Sequence, residues 1–115
     1  MRILIADDDE SLRELLQMLL TRRGHEVVAT RDGADALRTY HEADVPFDFV
    51  ITDYQMPRMN GMVLIMEIRR KNPAQKCIMV SGDPPQVPEY LRKDIGEFAI
   101  LRKPYRNEAL LDLLK

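Results

Sequence analysis

The residues most able to do chemistry lie at the ends of short apolar runs. Ile3-Leu4-Ile5-Ala6 stops at Asp7-Asp8-Asp9, Phe49-Val50-Ile51-Thr52 stops at Asp53, and Ala99-Ile100-Leu101-Arg102 runs into Lys103-Pro104. Short aliphatic runs that alternate with helical patterns read as buried parallel strands. In an open α/β sheet, ligands bind outside the carboxyl ends of the strands. Carboxylates from distant parts of the chain therefore converge at one sheet edge. Gathered there, they repel one another unless a cation or a shared proton offsets the charge. A hard, oxygen-seeking ion such as Mg²⁺, or Mn²⁺ in its place, suits such a site.

The elements that must position these residues follow in strict alternation. Leu12, Leu15, Leu16, Leu19 and Leu20 recur at helical spacing up to Arg23, and Gly24 is placed to stop that helix. Ser11 and Glu14 have capping-box spacing, with Asp8 or Asp9 as alternative caps and Asp9 the favoured one. Glu26 to Thr30 reads as a second strand. Asp32-Gly33 leads into a helix through about Ala43 that carries Ala34, Leu37 and Tyr40. After Val45-Pro46 comes the strand ending at Asp53, then the loop from Tyr54 to Gly61 and a helix with Leu64, Ile65 and Ile68 inward. Asn72-Pro73 ends that helix, and a fourth strand runs to Val80 ahead of Ser81-Gly82-Asp83. Pro84, Pro85 and Pro88 delay the next helix, which is expected to be short, near Glu89 to Asp94. A fifth strand precedes Lys103, and Asn107 to Leu114 forms a last helix with Leu110, Leu111 and Leu114 inward.

Five β/α units imply an α/β fold: a doubly wound five-stranded parallel sheet with helices on both faces. The order 2-1-3-4-5 suits five strands, and its switch point lies between the first and third. Those strands end in Asp7-Asp8 and Asp53, so fold and charge select the same place.

Composition narrows the class. The chain has 115 residues, read as one domain over residues 1–115, with 45% apolar and 31% charged residues and a net charge of −2. That balance gives no support to nucleic-acid binding or to a membrane surface. No run approaches the roughly 18 apolar residues of a membrane span, and the N-terminus lacks a signal-peptide pattern. The single cysteine, Cys77, sits in an apolar strand and reads as a buried structural thiol in a reducing, cytoplasmic setting. His25 and His41 read as surface histidines remote from the carboxylates, and Met56, Met59, Met62 and Met66 as packing residues.

Asp7-Asp8-Asp9, Asp53 with Met56-Pro57-Arg58-Met59-Asn60-Gly61, Ser81-Gly82 and Lys103-Pro104-Tyr105 together resemble the motif set of two-component response-regulator receiver domains, across essentially the whole chain. The resemblance implies phosphoryl transfer to Asp53 from a phosphohistidine on a sensor histidine kinase or a histidine phosphotransfer protein. It implies an Mg²⁺ requirement and a partner-binding surface that changes on phosphorylation, serving a downstream protein, an attached output domain or a phosphorylation-dependent dimer. Asp53 is the expected nucleophile, with Asp7 and Asp8 holding the metal. The family adds a backbone carbonyl two residues after the nucleophile, here Gln55. Lys103 pairs with Asp53 and later with a phosphoryl oxygen, and the Ser81 hydroxyl donates to the phosphoryl group. A cis peptide before Pro104 is also implied. The chain is expected to be a stand-alone receiver or one domain cut from a longer regulator or hybrid kinase.

Departures are visible as well. Ile100 occupies the position, three before the lysine, where many receivers carry an aromatic residue; Phe98 lies two residues earlier, Tyr105 stands where phenylalanine is more frequent, and the stretch Pro84 to Pro88 is rich in proline. A receiver kept only as a binding module usually lacks the aspartate, the acidic pair or the lysine, all present here. A haloacid-dehalogenase-type phosphatase would carry a DxD nucleophile on its first strand. A flavodoxin-like carrier would need donors for an anionic phosphate.

Overall fold

Alternation along each strand divides the core in two. In the computed structural model, which describes residues 1–82 and 95–115, strand β1 spans Arg2–Ala6, β2 Glu26–Thr30, β3 Phe49–Asp53, β4 Lys76–Ser81 and β5 Ala99–Arg102. Ile3, Ile5, Phe49, Ile51, Ile78 and Val80 point to one face of the sheet. Leu4, Ala6, Val50, Cys77 and Met79 point to the other. Residues i and i+2 of a strand share a face, so apolar residues at every position of a run require cover on both sides. Helices α1 (Glu10–Arg22) and α4 (Asn107–Leu113) cover the first face, through Leu16, Leu20 and Leu110. Helices α2 (Gly33–Glu42) and α3 (Gly61–Lys71) cover the second, through Ala36, Tyr40, Leu64, Ile65 and Ile68.

The sheet is parallel with order β2-β1-β3-β4-β5, as the alternation of elements implies. Helices α1, α2 and α3 start where short polar side chains replace missing intrahelical acceptors. Asp9 accepts from the Leu12 amide at 3.2 Å, Asp32 from Asp35 at 2.7 Å and Asn60 from Val63 at 2.9 Å. Asp9, and not Ser11, is therefore the α1 cap. Gly24 follows α1 with φ +87°, a left-handed stop that glycine adopts without Cβ strain.

Two details differ from the sequence reading. Ala36, not Ala34, joins Tyr40 in the core, because residues four apart lie on one face of a helix and that face of α2 turns to the cluster holding Leu64 and Ile68. The leucine stripe of α1 is also wider than the sheet it covers. Leu16 and Leu20 are buried, whereas Leu12 and Leu15 are 42% and 62% exposed. These outer leucines line a groove of about 550 Å³ between α1 and the segment that carries Tyr105 and Asn107. The expected helix near Glu89 to Asp94, the proline stretch and Asp83 lie outside the described residues. Among the described residues, no helix is long and apolar enough to cross a membrane.

Cys77 is buried and free, and desolvation pushes its thiol up to about 11. Since the thiolate is the reactive form, Cys77 is expected to resist a thiol-alkylating reagent at pH 7.5 in the folded protein and to react fully in guanidinium chloride. Rapid labelling under native conditions, followed by mass, would contradict that burial.

Candidate metal and phosphoryl-acceptor site

Each strand-end residue reaches the site because its strand stops there. β1 makes its last ladder-like bond where the Asp7 amide donates to the Thr30 carbonyl at 3.2 Å, after which the chain turns into α1. The Asp7 carboxylate accepts from the Asp9 amide at 2.9 Å, which fixes its direction at the head of the helix. β3 pairs with β1 through Ala6 and Thr52, so Asp53, one residue further on, emerges beside Asp7. Oxygens of Asp7, Asp8 and Asp53 all lie within 4.8 Å of one another. Asp7 is buried, Asp53 partly buried and Asp8 exposed, a gradient from the sheet to solvent.

The cation comes from the other side of the switch point. Lys103 follows β5, and its amide donates to the Ser81 carbonyl at 2.9 Å. Its Nζ lies 3.4 Å from Asp53 Oδ2. The peptide between Lys103 and Pro104 is cis. Ser81 is buried at the end of β4, one residue beyond Val80, which is the register partner of Asp53. Gln55 is exposed and lines a shallow depression with Asp8, Tyr54, Met56, Pro57 and Asn60. The six sequence-derived residues Asp7, Asp8, Asp53, Gln55, Ser81 and Lys103 thus belong to one edge of the sheet. His25 packs at the opposite end of β1, its Nδ1 3.2 Å from the N-terminal amine.

The loop after β3 owes its path to a close approach that motif reading overlooked. Gly61 donates its amide to the Tyr54 carbonyl at 2.8 Å. A Cβ at Gly61 would overlap the Asp53 carbonyl oxygen and lie 3.1 Å from Tyr54 Cα. Glycine lets α3 begin directly against the strand that presents Asp53. Met56 turns inward from this loop into the core, with Met59, Met62 and Met66 packed around it, as a packing role requires.

Electrostatics show what the site lacks. Desolvation by burial raises the pKa of Asp7, and the Asp53 and Asp8 charges add to the rise, against the Asp9 amide and Lys103. Asp53 is raised for the same first reason, although Lys103 opposes the shift. One lysine therefore does not balance three carboxylates. An acid whose pKa is raised on folding loses stability as pH climbs through that raised value, because the fold must then carry a disfavoured charge. Asp53→Asn removes one such charge at nearly constant shape. It is expected to leave the fold intact and raise the melting temperature at pH 7 without divalent ions, by a margin that shrinks towards pH 4. Thermal melts at both pH values check this, and a marked loss of stability at pH 7 would give Asp53 a structural role.

An open parallel sheet with a carboxylate cluster at its switch point and a lysine paired to one member defines a class of small doubly wound α/β domains. The response regulator receiver domain family model matches residues 3–115, and the chain belongs to that family. It is 34% identical over 108 residues to the transcriptional regulatory protein GlrR of Escherichia coli, which covers 94% of this chain and 24% of that protein. It is 36% identical over 120 residues to the sensory/regulatory protein RpfC of Xanthomonas campestris, covering 99% of this chain and 16% of that protein. The chain thus spans a quarter or less of these relatives. A response regulator receiver domain protein from Clostridium thermocellum has the same fold, with a TM-score of 0.88 and 30% identity over 98% of this chain and 90% of that one.

Proposed function

We propose that residues 1–115 form a phosphoacceptor receiver that takes a phosphoryl group onto Asp53 from a phosphohistidine of a sensor kinase or phosphotransfer protein. The observation that carries this reading is the joint placement of three carboxylates within 4.8 Å and of Lys103 at 3.4 Å from one of them. A carboxylate alone needs only a solvated tip. A carboxylate held among two others and a lysine is suited to a dianionic group that arrives with a cation.

The donor set is all oxygen and acidic, so it fits Mg²⁺ or Mn²⁺ held by Asp7, Asp8 and Asp53 with the Gln55 carbonyl. When bound, such an ion offsets the negative charge that builds as a phosphoryl group enters an acidic pocket. The chain's own residues do the rest. An Asp53 carboxylate oxygen attacks phosphorus, the phosphorus–nitrogen bond to the donor imidazole breaks, and the electron pair returns to that ring. The product is an acyl phosphate on Asp53. Lys103, already paired with Asp53, moves its charge onto a phosphoryl oxygen, and the Ser81 hydroxyl donates to another. Little covalent work falls to the protein, so positioning and charge dominate. The exposed Leu12 and Leu15 border the groove that opens at Asp53 and Lys103, an apolar rim against which a donor protein can rest. The reaction is self-modification of a cytoplasmic signalling domain, read out by a downstream protein or an attached output domain.

Incubation with acetyl phosphate and Mg²⁺ tests this directly. Intact-protein mass spectrometry is expected to show one added phosphoryl group, labile to hydroxylamine and absent when EDTA is present. No adduct under conditions that modify a known active receiver would replace the proposal with a constitutive binding module.

A further inference from the structure

Arg13 sits one turn into α1, and its amide donates to the carbonyl of the capping Asp9 at 2.9 Å. Its guanidinium reaches back, and Nη1 donates to the Asp7 backbone carbonyl at 2.9 Å, partly buried. That carbonyl has left the sheet, since the Asp7 amide makes the last bond to β2. Together with the Asp9 amide on the Asp7 carboxylate, the Arg13 contact closes a circuit: strand end, acidic turn, helix cap, first turn, and back to the strand end. Among the described residues, the peptide that joins Asp7 to Asp8 is held at its oxygen by this one side chain.

We infer that Arg13 is a positioning residue for the cation site, holding the Asp7–Asp8 peptide so that both carboxylates face Asp53 before an ion arrives. This rests on the receiver reading above. The physical reason is preorganisation: ligands fixed beforehand lose less freedom on binding, and partners that orient ligands affect affinity without touching the ion. Arg13 also carries a positive charge, and charge makes the opposite prediction. A guanidinium near a cation site repels the cation, so its removal would tighten binding if charge were its whole effect. Positioning and charge therefore differ in sign.

The test is an NMR titration of the full chain with Mg²⁺, following the amides of residues 7–9 and 54, for wild type, Arg13→Ala and Arg13→Lys. The Mg²⁺ dissociation constant is expected to rise about tenfold in the Ala variant, the low end for residues that orient metal ligands. Lysine keeps a donor of similar reach and is expected to restore most of the affinity. With acetyl phosphate, the Mg²⁺ concentration giving half-maximal phosphorylation should rise by the same factor, while the rate at saturating Mg²⁺ stays within about twofold of wild type. If the Ala variant does not fold, Arg13→Met keeps the apolar stem without the donor and carries the same test. Unchanged or tighter Mg²⁺ binding in the donorless variant overturns the inference, as does a rate loss that saturating Mg²⁺ does not recover. If wild type itself bound no Mg²⁺ and took no phosphoryl group, the receiver chemistry would fail and not the role of Arg13 alone.

Discussion

Asp53→Asn is expected to take no phosphoryl group from acetyl phosphate under conditions that modify the wild type completely. The amide keeps the shape of the side chain at the end of β3 but replaces the attacking carboxylate oxygen with a neutral group. Asp7 and Asp8 do not substitute, because Asp7 is buried with its carboxylate committed to the Asp9 amide, and Asp8 lies on the solvent side of the cluster. Lys103→Ala isolates a second contribution. The lysine lies 3.4 Å from Asp53, placed to pass its charge to the arriving phosphoryl oxygens, and a hydrogen bond made to a charged group in the transition state is worth about 1.5–3 kcal/mol. Its loss is expected to slow phosphorylation about 10- to 100-fold without abolishing it. Equal modification of the Asn variant, located by peptide mapping, would place the nucleophile elsewhere.

Gly61→Ala is expected to be the most disruptive single-methyl change near the site. The new Cβ meets backbone only, the Asp53 carbonyl and Tyr54 Cα, and backbone cannot step aside as a flexible side chain can. Overpacking of this kind costs about 3 kcal/mol, which corresponds to a fall in melting temperature of about 12 °C for a domain of this size. Because the strain falls on the peptide of Asp53, phosphorylation should slow as well. Gly82→Ala is the matched control, since a Cβ there meets nothing within 4 Å among the described residues. Calorimetry on both variants decides the matter. A Gly61→Ala protein that melts with the wild type would mean that α3 can withdraw from β3 at no cost.

The two predictions draw on different kinds of information. Asp53 was legible in the chain because strand ends are marked by the switch from apolar to acidic residues, and parallel topology then brings successive strand ends to one edge. The requirement at Gly61 was not legible. A glycine after Asn60 reads equally well as part of a helix start, and only the approach of α3 to β3 shows which backbone atoms it must clear.

What the sequence by itself determined was the alternation of elements, the two-faced strands, the order of the sheet and the meeting of Asp7, Asp8 and Asp53, all of which follow from residue periods and strand topology. Ser81 and Lys103 were added to that site by the resemblance of their motifs to those of receiver domains. The tertiary structure alone decided which leucines of α1 are covered. The stripe from Leu12 to Leu20 is continuous in sequence, yet only Leu16 and Leu20 enter the core cluster that also holds Leu110 of α4, about ninety residues away, while Leu12 and Leu15 stay exposed at the groove. It alone decided the partner of Arg13 as well. Every residue carries the same backbone carbonyl, so a side chain that bonds to one leaves no mark in the sequence of its acceptor. A periodic pattern specifies faces; contact between a side chain and a particular peptide exists only once the chain has closed around it.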